Sequence, residues 1–117
     1  LITHDIGVVA EVADRIAVMY AGEIVEEGTV SEIVYGARHP YTHGLLRCLP
    51  AMHDEKEHRA RLPSIQGLVP DLVRRPSGCQ FHPRCERATE KCVDQHPPLE
   101  GLVGARRLRC FHPLEGK

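Results

Sequence analysis

Residues 15–28, RIAVMYAGEIVEEG, decide the fold of this chain. The segment from Arg15 to Tyr20 is almost continuously apolar, and a second extended run begins at Glu23. The two residues between them, Ala21 and Gly22, have the length of a tight hairpin turn. The stretch therefore predicts a β-hairpin.

The sequence after the hairpin predicts two helices. Thr29 and Glu32 have the spacing of a capping box, in which each side chain satisfies a free backbone amide of the other residue. A short helix should follow and end near Gly36. A second helix is predicted from Pro40 to Leu49, because proline is tolerated at a first helical position.

The sequence before the hairpin predicts a strand followed by a helix. The apolar residues 1–3 are typical of the end of a buried strand, and Asp5 is a good helix cap. Apolar residues then recur with helical spacing at Ile6, Val9, Ala10 and Ala13. The chain starts with Leu and not Met, so we interpret its start as an artificial truncation.

Composition and charge place the chain among soluble globular proteins and divide it into two units. Its 117 residues are 42% hydrophobic and 26% charged, outside the disordered and membrane classes. No run approaches the roughly 18 to 20 apolar residues of a membrane-spanning helix, so any membrane association should come through a partner.

Residues 1–37 carry seven acidic side chains and one Arg, whereas residues 38–117 are net positive. We expect the second unit to dock on the first.

The second unit has few regular elements and many cysteines. Residues 53–61 are charged on every side and are interpreted as a solvated linker. From residue 62 onward the chain is rich in proline and has only short apolar runs, so it needs an internal staple. Four cysteines with the spacing C-x5-C-x6-C-x17-C are the candidates for this staple: Cys79, Cys85, Cys92 and Cys110.

Four thiolates in a small, loop-rich region are typical of a metal centre, which we interpret as structural. The absence of a C-x2-C pair favours an iron–sulfur cluster over structural zinc, although zinc stays open. Two disulfides would require an oxidising compartment. Cys48 stands apart in a helical segment and is interpreted as a small buried hydrophobe.

Basic residues are frequent around these cysteines, and such cations would lower the thiol pKa values and stabilise a thiolate-ligated centre. They could instead form a solvated face or pair with acidic lipids or another subunit. Nucleic-acid binding is disfavoured because few aromatic residues lie between them. The residues concerned are Arg74, Arg75, Arg84, Arg87, Lys91, Arg106, Arg107 and Arg109.

The first unit resembles the end of ABC-transporter ATPase domains. The resemblance rests on Thr3-His4-Asp5 after a predicted strand, Ala13-Asp14-Arg15 after a predicted helix, and the hairpin sequence VMYAGEIVEEG at 18–28. In that family the corresponding histidine is the switch histidine. The resemblance implies that His4 is catalytic and donates a hydrogen bond to the γ-phosphate or to the charge developing on it.

The second unit resembles the C-terminal extension of oligopeptide and dipeptide importer ATPases. One match is RHPYTHGLL at 38–46, although these residues could simply be a helix start with exposed histidines. The other is GCQFHPRC at 78–85, followed by Cys92, PPL at 97–99 and Arg109-Cys110. Some members of that family are associated with a four-iron, four-sulfur cluster at these cysteines, which makes the four cysteines the expected metal and cofactor ligands.

The expected fold class follows from both resemblances: an α/β remnant of an ABC ATPase domain (1–37), then a loop-rich, small α+β extension (38–117) stapled by a four-cysteine metal site. The intact subunit would hydrolyse ATP with Mg²⁺ and energise peptide import. Its expected partners are a second ABC ATPase subunit, transmembrane permease subunits and, indirectly, a peptide-binding protein, but no nucleic acid. It would be peripheral at the cytoplasmic face of the membrane.

Within the 117 residues there is no Walker A, signature or Walker B motif, so we expect the fragment alone to be inactive. Two other functions were weighed. One is a metal-stapled, non-catalytic interaction module with zinc at the cysteines. The other is a Cys/His hydrolase built on Cys48 with His43 or His53, which is disfavoured because no oxyanion motif surrounds Cys48.

Overall fold

The predicted hairpin is confirmed by the computed structural model, which describes residues 9, 11–47, 73, 75–102, 104 and 106–114. Strand β1 is Arg15–Tyr20, strand β2 is Glu23–Thr29, and the two pair antiparallel. Between them Ala21 has φ 52° and Gly22 has φ 80°. Positive φ at both turn residues is the feature of I′ turns, whose twist matches that of the flanking strands.

The predicted capping box is also present, and it starts helix α1, Val30–Gly36. The amide of Glu32 donates to Thr29 Oγ1 at 3.2 Å, and the amide of Thr29 donates to Glu32 Oε2 at 3.4 Å. Helix α2 follows at Pro40–Arg47. It begins at the predicted proline, and its predicted end at Leu49 lies outside the described residues.

The rest of the described chain has only short elements. They are a 3-10 turn at His82–Arg84, helix α3 at Glu90–Asp94, strand β3 at Glu100–Gly101 and strand β4 at Arg107–Leu108. The four strands form one antiparallel sheet in the order β1-β2-β4-β3. The protein is thus a small α/β fold in which β4 pairs with β2, in agreement with the expected docking of the second unit on the hairpin.

The core lies between the hairpin and the loop that precedes the 3-10 turn. Side chains of β1 alternate, and Ile16, Val18 and Tyr20 face inward. Phe81 enters this core from the cysteine-rich loop and is 4% exposed. Its ring centroid lies 5.1 Å from that of Tyr20 and 5.3 Å from that of Tyr41. Aromatic packing therefore ties the loop to the hairpin and to α2.

A buried carboxylate makes the second connection between the two units. Glu26 on β2 is fully buried. Its Oε2 accepts from the amide of Arg38 at 2.8 Å and from Arg106 Nη2 at 2.9 Å, while its Oε1 accepts from the amide of His39 at 3.0 Å. The guanidinium of Arg106 also donates to the carbonyl of Gly36. One side chain thus joins β2, the link between the helices, and the residue before β4.

Several predictions fall outside the described residues: the strand at 1–3, His4, Cys48 and the linker at 53–61. Of the predicted first helix, the amide of Ala13 donates to the Val9 carbonyl at 2.8 Å, which is a helical hydrogen bond. Within the described part of the chain, every helix is too short or too polar to cross a bilayer.

Replacement of Glu26 by Gln should destabilise the fold strongly. The substitution leaves Arg106 buried without a counter-charge and turns an N–H group toward other donors, so we expect a loss of about 3 kcal/mol in the free energy of unfolding. Urea denaturation followed by circular dichroism measures it. Glu27→Gln is the matched control, because the adjacent Glu27 pairs with the half-exposed Arg107 and should matter little. Equal effects of the two substitutions would contradict the assigned role of Glu26.

Candidate metal centre

All four cysteines of the predicted metal site line a single small cavity. Cys79 lies in the turn before the 3-10 segment, Cys85 follows that segment, Cys92 is on α3, and Cys110 comes shortly after β4. Each is a free thiol, and Cys92 is buried while the other three are half-buried. The structure therefore brings together four residues that are spread over 32 positions of the sequence.

A glycine allows Cys79 to lie against α3. Gly78 has φ +63°, and a Cβ atom at this position would lie 2.2 Å from the carbonyl oxygen of Cys92. The close approach lets the amide of Cys79 donate to that carbonyl at 2.7 Å. Only glycine is compatible with both the backbone conformation and the contact. Gly78 thereby positions Cys79 beside Cys92.

The other two cysteines are held by the 3-10 turn and by the sheet. The amide of Cys85 donates to the carbonyl of His82 at 3.2 Å, which closes the turn. Cys110 follows Arg109, whose amide donates to the Val25 carbonyl on β2 at 2.8 Å. The guanidinium of Arg109 donates to the carbonyls of Ile24 and Pro97, each at 3.0 Å. The hydrogen bonds from Arg109 to β2 thus fix the position of Cys110.

The environment of the thiols disfavours their charged form in the absence of a metal. Burial raises the pKa of Cys79 and of Cys85, and it raises the pKa of Cys110 to about 11. The neighbouring thiols raise these pKa values further, because thiolates held close together repel one another.

The expectation that nearby cations lower the thiol pKa values is wrong for Cys79 and Cys110. Arg87 does lower the pKa of Cys85, but burial raises that pKa more. Four of the eight cations that flank the cysteines in sequence pair with carboxylates instead. They contact the three glutamates of β2, in the pairs Arg75–Glu23, Arg109–Glu23, Arg106–Glu26 and Arg107–Glu27. The basic residues of the second unit thus neutralise the acidic strand of the first, and desolvation dominates at the thiols.

His39 is a further residue of the cavity, one that the sequence did not point to. The side chain lines the cysteine cavity and is 1% exposed, so the suggestion of exposed histidines at this helix start is wrong for His39, although His43 is exposed. Its Nδ1 accepts a hydrogen bond from the amide of Tyr41 at 3.0 Å, which caps α2. Its Nε2 is buried and makes no hydrogen bond of regular geometry within the described residues. Burial lowers the pKa of His39 to about 4, outweighing the opposite effect of the Arg109 backbone.

A signal for the position of His39 was available in the sequence. The residue that precedes a proline at the first helical position is the N-cap, whose side chain commonly accepts from an amide of the first turn. The burial of His39 could not be predicted in this way, because it depends on the cysteine-rich loop packing close to α2.

The metal itself stays a prediction. Among the described residues, no group of three or more His, Cys, Asp or Glu side chains is arranged to hold a metal ion. The catalytic assignment of His4 also stays a prediction, since His4 lies outside the described residues.

Comparison with known proteins identifies the family. Residues 25–92 match the family described as "Oligopeptide/dipeptide transporter, C-terminal region". The chain belongs to this family. The resemblance to the C-terminal extension of oligopeptide and dipeptide importer ATPases is thereby confirmed, and Cys79, Cys85 and Cys92 lie within the matched residues.

Individual relatives agree with the family assignment. The chain is 51% identical to the "Dipeptide transport ATP-binding protein DppD" of Haemophilus influenzae over 114 residues, which are 97% of this chain and 33% of that protein. It is 47% identical to the protein of the same name from Escherichia coli over 115 residues, 98% of this chain and 34% of that protein. The chain therefore spans about a third of the length of these relatives.

Replacement of Gly78 by Ala should open the cysteine cavity. The new methyl group would collide with the backbone of Cys92, so the contact between the Cys79 loop and α3 should break. We expect faster modification of Cys79 and Cys92 by a disulfide reagent in metal-free, reduced protein, measured by mass spectrometry. Gly101→Ala is the control, because nothing lies within 4 Å of a Cβ atom at that exposed position. Unchanged modification rates in Gly78→Ala would show that the contact does not hold the cavity closed.

Proposed function

We propose that this chain is the C-terminal part of an ATP-binding subunit that energises the import of dipeptides or oligopeptides through an ABC transporter. The observation that carries the proposal is the identity of about half of the residues, over nearly the whole chain, to dipeptide transport ATP-binding proteins. The whole subunit would bind ATP with Mg²⁺ and hydrolyse it together with a second ABC ATPase subunit. It would act on permease subunits at the cytoplasmic face of the membrane, with a peptide-binding protein as an indirect partner.

Within that subunit, residues 1–37 would be the end of the nucleotide-binding domain and residues 38–117 its extension. Two contacts support a firm attachment of the extension: the pairing of β4 with β2, and the buried Glu26 carboxylate that holds the amides of Arg38 and His39. Both contacts cross the proposed boundary. The extension would therefore be a fixed part of the ATPase end and not a freely tumbling module.

His4 would act at the γ-phosphate of ATP. The residue follows a predicted buried strand, and the carboxyl ends of such strands are where open α/β sheets collect their ligands. A histidine there can donate a hydrogen bond to the phosphoryl oxygens as negative charge develops on them. Positioning and charge stabilisation are the main contributions a protein makes to phosphoryl transfer.

Cys79, Cys85, Cys92 and Cys110 would hold a four-iron, four-sulfur cluster. Two observations support the fit: four free thiols line one cavity, and neighbouring thiols raise the pKa of Cys79, Cys85 and Cys110. Metal coordination would offset the raised thiol pKa values, because a bound cation strongly favours the thiolate. When bound, the cluster would tie four loop segments together.

Zinc is the alternative occupant and would make the extension a metal-stapled, non-catalytic module. Around one zinc ion the four sulfurs must approach to about 3.8 Å of one another, given Zn–S bonds of about 2.3 Å in a tetrahedron. A cluster is larger than an ion, so its ligands stand further apart and can line the wall of a cavity. In both cases four protein thiolates occupy the available coordination positions, which favours a structural role.

Replacement of His4 by Ala in the intact subunit should lower ATP turnover by about 10²–10³-fold while nucleotide binding survives. The reason is the loss of a single oriented donor at the developing charge. Steady-state ATPase assays with the partner subunits present measure the turnover. His43→Ala is the control, since His43 is exposed on α2 and should not affect it. Near-normal turnover in His4→Ala would refute the assignment.

Anaerobic purification of the intact subunit should give brown protein with iron and sulfide in near-equal amounts. A Cys→Ser change at any of the four cavity cysteines should bleach it and expose the extension to protease, because the loops lose their common anchor. Cys48→Ser is the control and should do neither.

Two other results would decide against the cluster. Colourless anaerobic protein with one zinc per chain would establish the structural-zinc alternative. Metal-free protein with two disulfides would refute both kinds of metal centre.

A further inference from the structure

Cys79 and Cys92 are joined through their backbones. The amide of Cys79 donates a hydrogen bond to the carbonyl of Cys92 at 2.7 Å. Residues linked in this way have Cα atoms about 5 to 6 Å apart, which is within the range of most disulfides. Gly78 allows the close packing, since a Cβ atom at this position would lie 2.2 Å from the Cys92 carbonyl oxygen. The backbones of these two cysteines therefore have the spacing that a disulfide requires.

The side chains of the same two residues point into a common space. Both are free thiols, and both line the same cavity. A disulfide needs side chains that converge, because its two Cβ atoms are only about 3.8 Å apart. Cys79 and Cys92 thus meet the second geometric requirement as well as the first.

Both residues are also held in place by the surrounding structure. Phe81, two residues after Cys79, is 4% exposed and packs in the aromatic core. Cys92 lies on α3, where its amide donates to the carbonyl of Thr89 at 3.0 Å. A bond between the two sulfur atoms can therefore form without a rearrangement of the chain.

The other cysteines of the cavity lack this relation. Among the described residues, no other two of the four share a backbone hydrogen bond. Two successive turns separate Cys85 from Cys79, closed by hydrogen bonds from the amides of His82 and Cys85 at 3.2 Å each. Cys110 comes from the segment after β4. The backbone geometry therefore singles out one pair.

We propose that Cys79 and Cys92 are a redox-active pair, which a hydroperoxide converts to a disulfide when the cavity holds no metal. Cys79 reacts first, because it is half-buried whereas Cys92 is buried, and oxidation of a thiol requires access. Its sulfur takes one oxygen from the peroxide and becomes a sulfenic acid, and the other peroxide oxygen leaves as water. The sulfur of Cys92 then displaces the sulfenic oxygen as a second water and forms the S–S bond.

The reaction balances with peroxide as the only oxidant. The two thiols together lose two electrons, which reduce the peroxide, and their two protons leave in the two water molecules. A dithiol reverses the step by thiol–disulfide exchange and restores both thiols.

The disulfide would give the cavity two stapled states that exclude one another. A bound metal engages these sulfur atoms, so the disulfide forms only after the metal has left. The oxidised pair in turn offers no thiolate to a metal, which cannot return until the pair is reduced. This coupling to the metal rests on the proposed function, whereas the pairing of Cys79 with Cys92 does not.

The test uses the intact subunit, reduced anaerobically and freed of metal with a chelator. One equivalent of hydrogen peroxide is added, the remaining thiols are alkylated, and disulfide-linked tryptic peptides are quantified by mass spectrometry. Trypsin can separate the two cysteines, because Arg84, Arg87 and Lys91 lie between them. We expect the Cys79–Cys92 link to exceed every other pair by about tenfold.

Variants test the order of the two steps and the role of the backbone contact. In Cys92→Ser the sulfenic acid of Cys79 should persist and be trapped by a dimedone reagent, whereas Cys85→Ser should form the disulfide as the wild type does. Gly78→Ala should lower the yield of the disulfide, because the new methyl group separates Cys79 from α3. Gly101→Ala is the matched control and should leave the yield unchanged.

Several results would overturn the inference. One is a dominant link between any other two cysteines, such as Cys79–Cys110. Another is the dominance of Cys79–Cys85, which an unfolded chain would favour because shorter loops close more readily. A third is that Cys79 and Cys92 stay reduced after the peroxide is consumed. A subunit purified without metal would contradict the proposed metal centre, while the identity of the linked pair would still decide the inference.

Discussion

The carboxylate of Glu26 is the interaction on which the rest of the structure depends. It is fully buried and accepts hydrogen bonds from two consecutive amides, those of Arg38 and His39, and from the guanidinium of Arg106. A buried charge is tolerable only when such partners surround it, because its desolvation costs several kcal/mol. Each partner comes from a different part of the chain than the strand that carries Glu26. The carboxylate therefore determines where the second unit meets the hairpin.

The position of the candidate metal centre depends on that contact. The backbone of His39 is bound to Glu26, and its ring lines the cavity of the four cysteines. Phe81, two residues after Cys79, packs against Tyr20 and Tyr41 and brings the cysteine loop to the same place. Cys110 follows Arg109, whose amide and guanidinium both bind to carbonyls of β2. The cavity is therefore positioned by contacts with the hairpin, and a metal bound there would reinforce contacts that the protein already makes.

The arginines near the cysteines in sequence pair mainly with carboxylates and do not stabilise thiolates, contrary to what their sequence positions suggest. Arginines next to cysteines are expected to favour thiolates, yet burial raises the pKa values of Cys79, Cys85 and Cys110. The guanidinium groups of Arg106, Arg107 and Arg109 instead contact the three glutamates of β2. A cation that pairs with a carboxylate on the sheet is not available to the thiols, and the backbone hydrogen bonds that the thiols accept do not offset their desolvation. The proposed metal would stabilise the thiolate form.

The sequence by itself determined the local elements and the family. The hairpin of Arg15–Tyr20 and Glu23–Thr29 and the capping box of Thr29 and Glu32 depend on neighbouring residues, so their patterns were sufficient. The four cysteines could be named from their spacing, although spacing could not show that they share a cavity. Only the tertiary structure decided that Glu26 is a buried anchor and that His39 faces the cysteines. Their burial depends on contacts between residues 12 to 80 positions apart, and no local pattern encodes such distances.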